Sequence, residues 1–253
     1  MKLEDIQINP DIKRIALWSG PRNISTALMY SFAQRPDTRV YDEPLYGYYL
    51  KNTKAQEYHP SAQETIDSME SEGHQVIENM LTDESKPVLF FKNMTHHLLD
   101  LNTDFLKHTT NLILTRNPSE MITSFAKVIP NPTMIDLGFE HQAQLVKKMR
   151  SQGYEPIILE GKDILQNPKE GMSTLCSKIG IPFNKEMLSW GAGPRPEDGV
   201  WADHWYSNVH QSTGFQPYEE KEVSVPEHLK DLEKECQIFY KEIIGKDKET
   251  IYS

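Results

Sequence analysis

The residues with the clearest chemical potential form one short segment that combines a glycine, an arginine and two hydroxyl side chains. The segment reads Gly20-Pro21-Arg22-Asn23-Ile24-Ser25-Thr26. It follows an apolar run over residues 12–18 and leads into a helix-like pattern. The first turn of a helix offers unpaired backbone N–H groups, to which Ser25 and Thr26 add hydroxyl donors and Arg22 a planar cation. The segment therefore predicts a loop that binds an oxyanion, and a helix capped by hydroxyl groups without a ligand is the alternative.

This loop lacks the lysine of the triphosphate-binding motif GxxxxGK[ST]. Counting from Gly20, the positions of Gly, Lys and Ser/Thr are occupied by Ser25, Thr26 and Ala27. Because that lysine usually holds a metal-bound triphosphate, its absence disfavours an ATP- or GTP-dependent kinase or hydrolase. This function remains an alternative, with Asp42 and Asp163 as weak candidates for magnesium ligands.

A second arginine lies where another apolar run, over residues 111–115, ends. Arg116 is followed by Pro118, which suits the first turn of a helix, and by Ser124 about two helical turns further on. Arg116-Asn117-Pro118 with Ser124 resembles the 3′-phosphate site of sulfotransferases. The segment from Arg22 to Thr26 is similar to the 5′-phosphosulfate loop of bacterial and Golgi members, although Asn23 and Ile24 replace the usual Ser and Gly.

Further segments resemble the sulfotransferase-like domain that plants fuse to an aminotransferase-like domain. They are residues 31–35, 42–46, 197–201 and 212–215. The resemblance implies a P-loop NTPase-like sulfotransferase fold and the co-substrate 3′-phosphoadenosine 5′-phosphosulfate, used without a metal. It implies sulfuryl transfer to a hydroxyl or amine of a small acceptor. A non-catalytic nucleotide-binding module stays open, because a shared fold does not establish a reaction. The Arg-Lys-Gly segment of cytosolic members has no clear counterpart.

Sulfuryl transfer needs a cation at the leaving phosphate and a base for the acceptor. We expect Arg22 to stabilise the leaving group, since its guanidinium stays charged and can grip two oxygens. Glu43, just after a predicted strand, is the first candidate for the base. His96 or His97 is the second, in a segment that resembles the Lys-Thr-His of cytosolic members with different spacing. Lys92 could contact the sulfonate or be solvated.

Five apolar runs alternate with helix-like segments, as in a parallel sheet flanked by helices. The predicted strands are residues 12–18, 38–42, 88–92, 111–115 and 156–160. The predicted helices are residues 24–34, 61–83, 119–127, 139–152, 169–179 and 227–244. We expect a single α/β domain over residues 1–253. Residues 191–218 show no period and are expected to form a functional loop. Its aromatic residues could cover an acceptor pocket together with Tyr46, Tyr48 and Tyr49, or could pack in the core.

The composition sets limits on the partners. A formal net charge of −10 disfavours nucleic acid, and no apolar stretch is long enough for a membrane span. The sequence starts without an apolar secretion signal, and Cys176 and Cys236 are too few for a disulfide framework, so we expect a cytoplasmic protein. No His or Cys spacing predicts a metal site. The sequence leaves the acceptor and the oligomeric state unknown.

Overall fold

Five β-strands of the described part of the chain form one sheet in the order β2-β3-β1-β4-β5. A computed structural model describes residues 6–127, 129–220 and 222–245. The strands are β1 (Lys13–Ser19), β2 (Thr38–Asp42), β3 (Val88–Met94), β4 (Thr110–Thr115) and β5 (Ile157–Glu160). β2 runs parallel to β3, and β4 runs parallel to β5. The predicted α/β class with its parallel sheet is confirmed, and each of the five predicted strands is present.

Helices connect the strands in the alternating order that the sequence predicted. They are α1 (Ser25–Ala33), α2 (Tyr46–Asn52), α3 (Ala62–Ser68), α4 (Gly73–Thr82), α5 (Pro118–Phe125), α6 (Met134–Leu137), α7 (Phe139–Ser151), α8 (Gly161–Gln166), α9 (Pro168–Ile179), α10 (Ala202–Trp205), α11 (Ser207–His210) and α12 (Lys230–Ile244). Single 3₁₀ turns cover Lys54–Glu57, Thr95–Leu98, Thr103–His108, Lys185–Leu188 and Glu227–Leu229.

The single helix predicted over residues 61–83 is wrong, because the chain breaks into α3 and α4. Met69 has an extended backbone, and its sulfur accepts a hydrogen bond from the Gly47 N–H at 3.2 Å. Gly73 then packs so closely that a Cβ atom there would lie 2.8 Å from Leu101 and 2.9 Å from Tyr48. The apolar period continues through the break, so it could not reveal these tertiary contacts.

The strands are apolar along almost their whole length, as expected for a sheet covered on both faces. In β1 every residue from Arg14 to Ser19 is buried, and in β3 every residue from Val88 to Asn93 is buried. Phe90 of β3 stacks on Phe32 of α1 with 4.3 Å between the ring centroids. The polar side chains of interest lie at or after the carboxyl ends of these strands.

The chain divides into two compact units. One comprises Met1–Leu17, Thr26–Asn111 and Asn184–Phe215, and the other comprises Trp18–Ser25, Leu112–Phe183 and Gln216–Ser253. The first contains β2, β3 and the aromatic segment of residues 191–215. The second contains the loop after β1, most of β4 and all of β5. The single domain over residues 1–253 stays a prediction.

Candidate active site

The loop after β1 has a tight backbone that only glycine allows at its start. A Cβ atom on Gly20 would lie 2.9 Å from the carbonyl oxygen of Leu137. Two residues later, Arg22 has a φ of +54° and an exposed side chain. This left-handed conformation costs a residue with a side chain on the order of 1–2 kcal/mol. Backbone strain of this kind collects at ligand-binding positions, which agrees with the role predicted for the loop.

Asn23 and Ile24, the two departures from the family pattern, fasten this loop to the protein. The Asn23 amide donates to the carbonyl of Leu114 at 3.3 Å, and its oxygen accepts the Ile24 N–H at 3.0 Å. A Cβ atom on Gly161 would lie 2.9 Å from the Asn23 side-chain oxygen and 3.4 Å from Ile24. The side chain of Asn23 thus holds the loop against the end of β4. A ligand contact from Asn23 or Ile24 stays a prediction.

The structure brings together the two predicted anion-binding segments, residues 20–25 and 116–124, which we call the arginine loops. Arg116 donates through Nη1 to the carbonyl oxygen of Arg22 at 2.9 Å. The Nε of Arg22 donates to the hydroxyl of Ser124 at 3.4 Å. Arg22, Arg116 and Ser124 are therefore neighbours, although 94 residues separate the two arginines. Ser25 is buried at the start of α1, and Thr26 and Pro21 are half-buried.

A second group of polar residues, the buried carboxylate cluster, comprises Asp42, Glu43, Lys92, His97 and Tyr206. Lys92 uses its three N–H donors on Asp42 Oδ1 at 2.8 Å, Glu43 Oε1 at 2.5 Å and the Tyr206 hydroxyl at 2.5 Å. Its side chain is only 2% exposed. Lys92 is therefore neither solvated nor free to contact a sulfonate, because its donors are already engaged.

Asp42 is the acceptor at the centre of this cluster. The Tyr206 hydroxyl lies 2.8 Å and 2.9 Å from its two oxygens, and the Gly199 N–H donates to Oδ2 at 3.2 Å. The indole N–H of Trp201 donates to the Tyr206 hydroxyl at 3.2 Å. Through these contacts Asp42 holds the aromatic segment in place.

The backbone of Glu43 is strained and is held in place by hydrogen bonds. Its φ is +46°, and its backbone is fixed by hydrogen bonds from its N–H to the carbonyl of Lys92 and from the N–H of Tyr46 to its own carbonyl. In the described chain its hydrogen bond from Lys92 ends on Oε1, whereas Oε2 lies 3.8 Å from His97 Nδ1. The carboxylate therefore keeps one oxygen for another partner.

Burial and charge together shift the titration of the cluster. Burial lowers the pKa of Lys92, but Asp42 and Glu43 outweigh it and raise that pKa well above its ordinary value. Burial raises the pKa of Asp42, against the attraction of Lys92. Burial and the Lys92 charge hold the pKa of His97 well below its ordinary value, so His97 is neutral at physiological pH. Two carboxylates thus share one ammonium in this cluster.

Aromatic rings surround His97. It stacks on Tyr46 and Tyr49 with centroid distances of 4.8 Å and 4.6 Å. His96 is half-buried and meets Tyr49 edge-on at 5.0 Å. Tyr46, Tyr49 and Trp201 are buried in one apolar cluster, so these three pack in the core. Tyr48 is half-buried, and Trp205, 42% exposed, lies at the surface.

The aromatic segment is more ordered than the structureless loop predicted for residues 191–218. It contains α10 and α11. Asp198 accepts hydrogen bonds from the Tyr30 hydroxyl at 2.7 Å and lies 2.9 Å from His210 Nε2. The structural roles of Asp198 and Tyr206 could not be read from the sequence. Helices of four residues are too short to show a period, and no local motif identifies partners more than 100 residues away.

The described residues offer no group of three or more His, Cys, Asp or Glu that could hold a metal ion. Cys176 and Cys236 are buried, and neither forms a disulfide bond. Among the described residues there is also no helix with the length and apolar character needed to cross a membrane.

Comparisons with known proteins place these observations in context. A family profile described as a sulfotransferase domain matches residues 13–246. Branched-chain-amino-acid aminotransferase-like protein 1 of Arabidopsis thaliana is 39% identical over 200 residues, which are 78% of this chain and 36% of that protein. Branched-chain-amino-acid aminotransferase-like protein 2 is 36% identical over 228 residues, 89% of this chain and 40% of that protein. The chain thus spans well under half the length of these plant relatives, and the predicted resemblance to them is confirmed.

A solved structure shares the architecture. The sulfotransferase domain from the Synechococcus PCC 7002 olefin synthase aligns with a TM-score of 0.54 at 15% identity, covering 94% of this chain and 98% of that one. At this identity the likeness shows the fold, and it confirms the architecture that the sequence resemblance implied.

Proposed function

Because the chain belongs to the sulfotransferase family, we propose that it transfers a sulfuryl group from 3′-phosphoadenosine 5′-phosphosulfate to a small acceptor. The acceptor atom is a hydroxyl oxygen or an amine nitrogen, and no metal takes part. The observation that carries the proposal is the meeting of Arg22, Arg116 and Ser124, which places two guanidinium groups and a hydroxyl beside one strained loop.

The arginine loops fit a ligand with two separate anionic groups. Among the described residues Arg116 donates two hydrogen bonds, from Nε to Glu120 and from Nη1 to the Arg22 carbonyl, and its Nη2 lies 3.1 Å from the same Glu120 oxygen. Three of its five N–H groups remain for a ligand and can bind two oxygens of a phosphate, and the Ser124 hydroxyl can add a further donor. The exposed guanidinium of Arg22 and the first turn of α1 supply donors for the phosphosulfate. This donor set binds oxyanions and lacks the oxygen ligands that magnesium requires.

On the acceptor side we assign the base to Glu43. Its Oε2 receives the proton that the acceptor loses as its oxygen or nitrogen bonds to sulfur. The buried carboxylate cluster suits this step, because its two carboxylates share the single ammonium of Lys92. Arg22 balances the charge that develops on the leaving phosphate. His97 is neutral and 3.8 Å from Glu43, and His96 is the rival base.

Calorimetry with 3′-phosphoadenosine 5′-phosphate tests the donor assignment. We expect metal-independent binding to the wild type and a large loss of affinity in Arg116→Ala. Magnesium ATP is the comparison ligand. Preference for magnesium ATP, or no binding of the bisphosphate well above micromolar concentration, would overturn the proposal.

A turnover assay tests the base. With an acceptor in hand, Glu43→Gln should lose activity while still binding the bisphosphate, and His96→Gln should keep most of its activity. The matched control is Glu72→Gln, which removes the carboxylate of an exposed Lys–Glu pair. Full activity in Glu43→Gln would move the base to His96.

A further inference from the structure

The side chain of Arg116 contacts the backbone of the first arginine loop. We propose that Arg116 is a positioning residue for this loop. By donating a hydrogen bond to the Arg22 carbonyl, Arg116 keeps the 5′-phosphosulfate loop in shape. This inference rests on the proposed function and deepens it. It implies that the residue that binds the 3′-phosphate of the co-substrate also shapes the loop that binds its 5′-phosphosulfate.

The guanidinium of Arg116 is held by Glu120 as well as by its contact with the Arg22 carbonyl. Its Nε and Nη2 both lie 3.1 Å from Glu120 Oε2, one helical turn along α5. The other oxygen of Glu120 accepts a hydrogen bond from the Tyr218 hydroxyl at 3.0 Å. With the Nε–Nη2 edge of the guanidinium against Glu120, Nη1 donates to the Arg22 carbonyl, 2.9 Å away. An arginine held in this way is a rigid donor rather than a mobile surface cation.

The loop needs such a donor because its backbone is strained at the residue that Arg116 contacts. Arg22 has a φ of +54°, which only a surrounding network of contacts can maintain. The side-chain amide of Asn23, the next residue, donates a hydrogen bond to the carbonyl of Leu114. Arg116 donates the other hydrogen bond, and its charge makes this bond stronger than a neutral one.

Arg116 can position the loop and bind a phosphate at the same time, because the two roles use different N–H groups. The hydrogen bonds to Glu120 and Arg22 use two N–H groups, on Nε and Nη1, and leave one on Nη1 and two on Nη2. A phosphate bound there would leave the contact with the Arg22 carbonyl intact. Loss of Arg116 should therefore weaken the binding of ligands that carry no 3′-phosphate. If Arg116 contacted only the 3′-phosphate, its loss would leave the affinity for these ligands unchanged.

A ligand-free experiment tests the loop. Amide exchange measured by NMR should show that the Ile24 N–H, which donates to Asn23 Oδ1, exchanges about tenfold faster in Arg116→Ala. The matched control is Arg150→Ala, since Arg150 also binds a carboxylate, Glu155, and a backbone carbonyl. That control should leave the loop unchanged. Glu120→Gln, which keeps Arg116 but loosens its orientation, should give a smaller acceleration and serves if Arg116→Ala folds poorly.

Calorimetry with two probes then tests the coupling. Adenosine 5′-phosphosulfate lacks the 3′-phosphate, and 3′-phosphoadenosine 5′-phosphate carries it. We expect Arg116→Ala to bind both more weakly, the first by about tenfold. Unchanged exchange at Ile24, together with loss of affinity for the bisphosphate alone, would overturn the inference and leave the proposed function standing. Faster exchange in a protein that binds neither probe would support the positioning role and refute the proposed function.

Discussion

Arg22 and Arg116 carry their charges on side chains that solvent reaches, whereas Lys92 carries its charge on a side chain that is 2% exposed. In the arginine loops, three N–H groups of Arg116 donate no hydrogen bond to any described residue. The buried carboxylate cluster keeps a spare acceptor, Oε2 of Glu43. In the proposed function, the first region binds an anion and the second accepts a proton. Exposure suits the first task, and burial of two carboxylates around one ammonium suits the second.

Removal of Lys92 should produce the largest effect on stability. Lys92→Met leaves Asp42 and Glu43 buried without their counter-charge, which costs about 3–5 kcal/mol in unfolding free energy. Urea denaturation measures it. Lys51→Met, which breaks an exposed pair with Glu72, should cost less than about 1 kcal/mol. Equal losses in the two variants would erase the contrast between a buried and an exposed ammonium.

Removal of Arg22 should act on turnover rather than on folding. Arg22→Ala takes away the proposed stabiliser of the leaving phosphate, and kcat should fall about 100-fold or more. The unfolding free energy should change by less than about 0.5 kcal/mol, because the side chain is exposed. Steady-state kinetics and urea denaturation measure the two quantities, with Arg150→Ala as the control. A kcat equal to that of the wild type would remove Arg22 from the chemistry.

The Tyr206 hydroxyl tests how tightly the aromatic segment depends on the cluster. Tyr206→Phe keeps the ring but leaves one Lys92 donor and the Trp201 indole N–H without their acceptor. We expect a loss of about 1–3 kcal/mol in unfolding free energy. Tyr58→Phe, at an exposed ring, is the control. No change in Tyr206→Phe would mean that the segment is held by packing alone.

The titration of His97 should give the smallest effect. In the unfolded chain His97 takes up a proton near its ordinary pKa of about 6.5, whereas the folded protein resists protonation because its pKa is well below that. The unfolded state therefore binds more protons in acid, and stability falls as the pH drops below about 6.5. This residue contributes at most about 1.4 kcal/mol per pH unit.

The variant His97→Phe keeps a ring between Tyr46 and Tyr49 and should flatten this acid limb. Thermal or urea unfolding between pH 7.5 and 5 measures the limb, and His74→Phe at an exposed position is the control. An unchanged slope in His97→Phe would assign the acid sensitivity to other groups.

The two regions also differ in how far the sequence revealed them. The arginine loops are short contiguous motifs at strand ends, so their residue types and order were enough to predict that Arg22, Arg116 and Ser124 bind anions, a role that stays a prediction. The five strands followed from apolar runs in the same way. The buried carboxylate cluster joins residues 42, 92 and 206, and nothing in the local sequence of Lys92 shows that its ammonium meets two carboxylates. The sequence did not predict the break between α3 and α4 for the same reason, because the break depends on tertiary contacts.

The unequal exposure of the two regions has a consequence for ionic strength. Salt screens charges that face water and has little influence on charges that the protein encloses. Added salt should therefore weaken the grip of Arg22 and Arg116 on an anion while the ion pairs of Lys92 persist. In concentrated salt the protein would lose its phosphate affinity long before it lost the arrangement around Glu43, so the two halves of the reaction respond separately to the surrounding electrolyte.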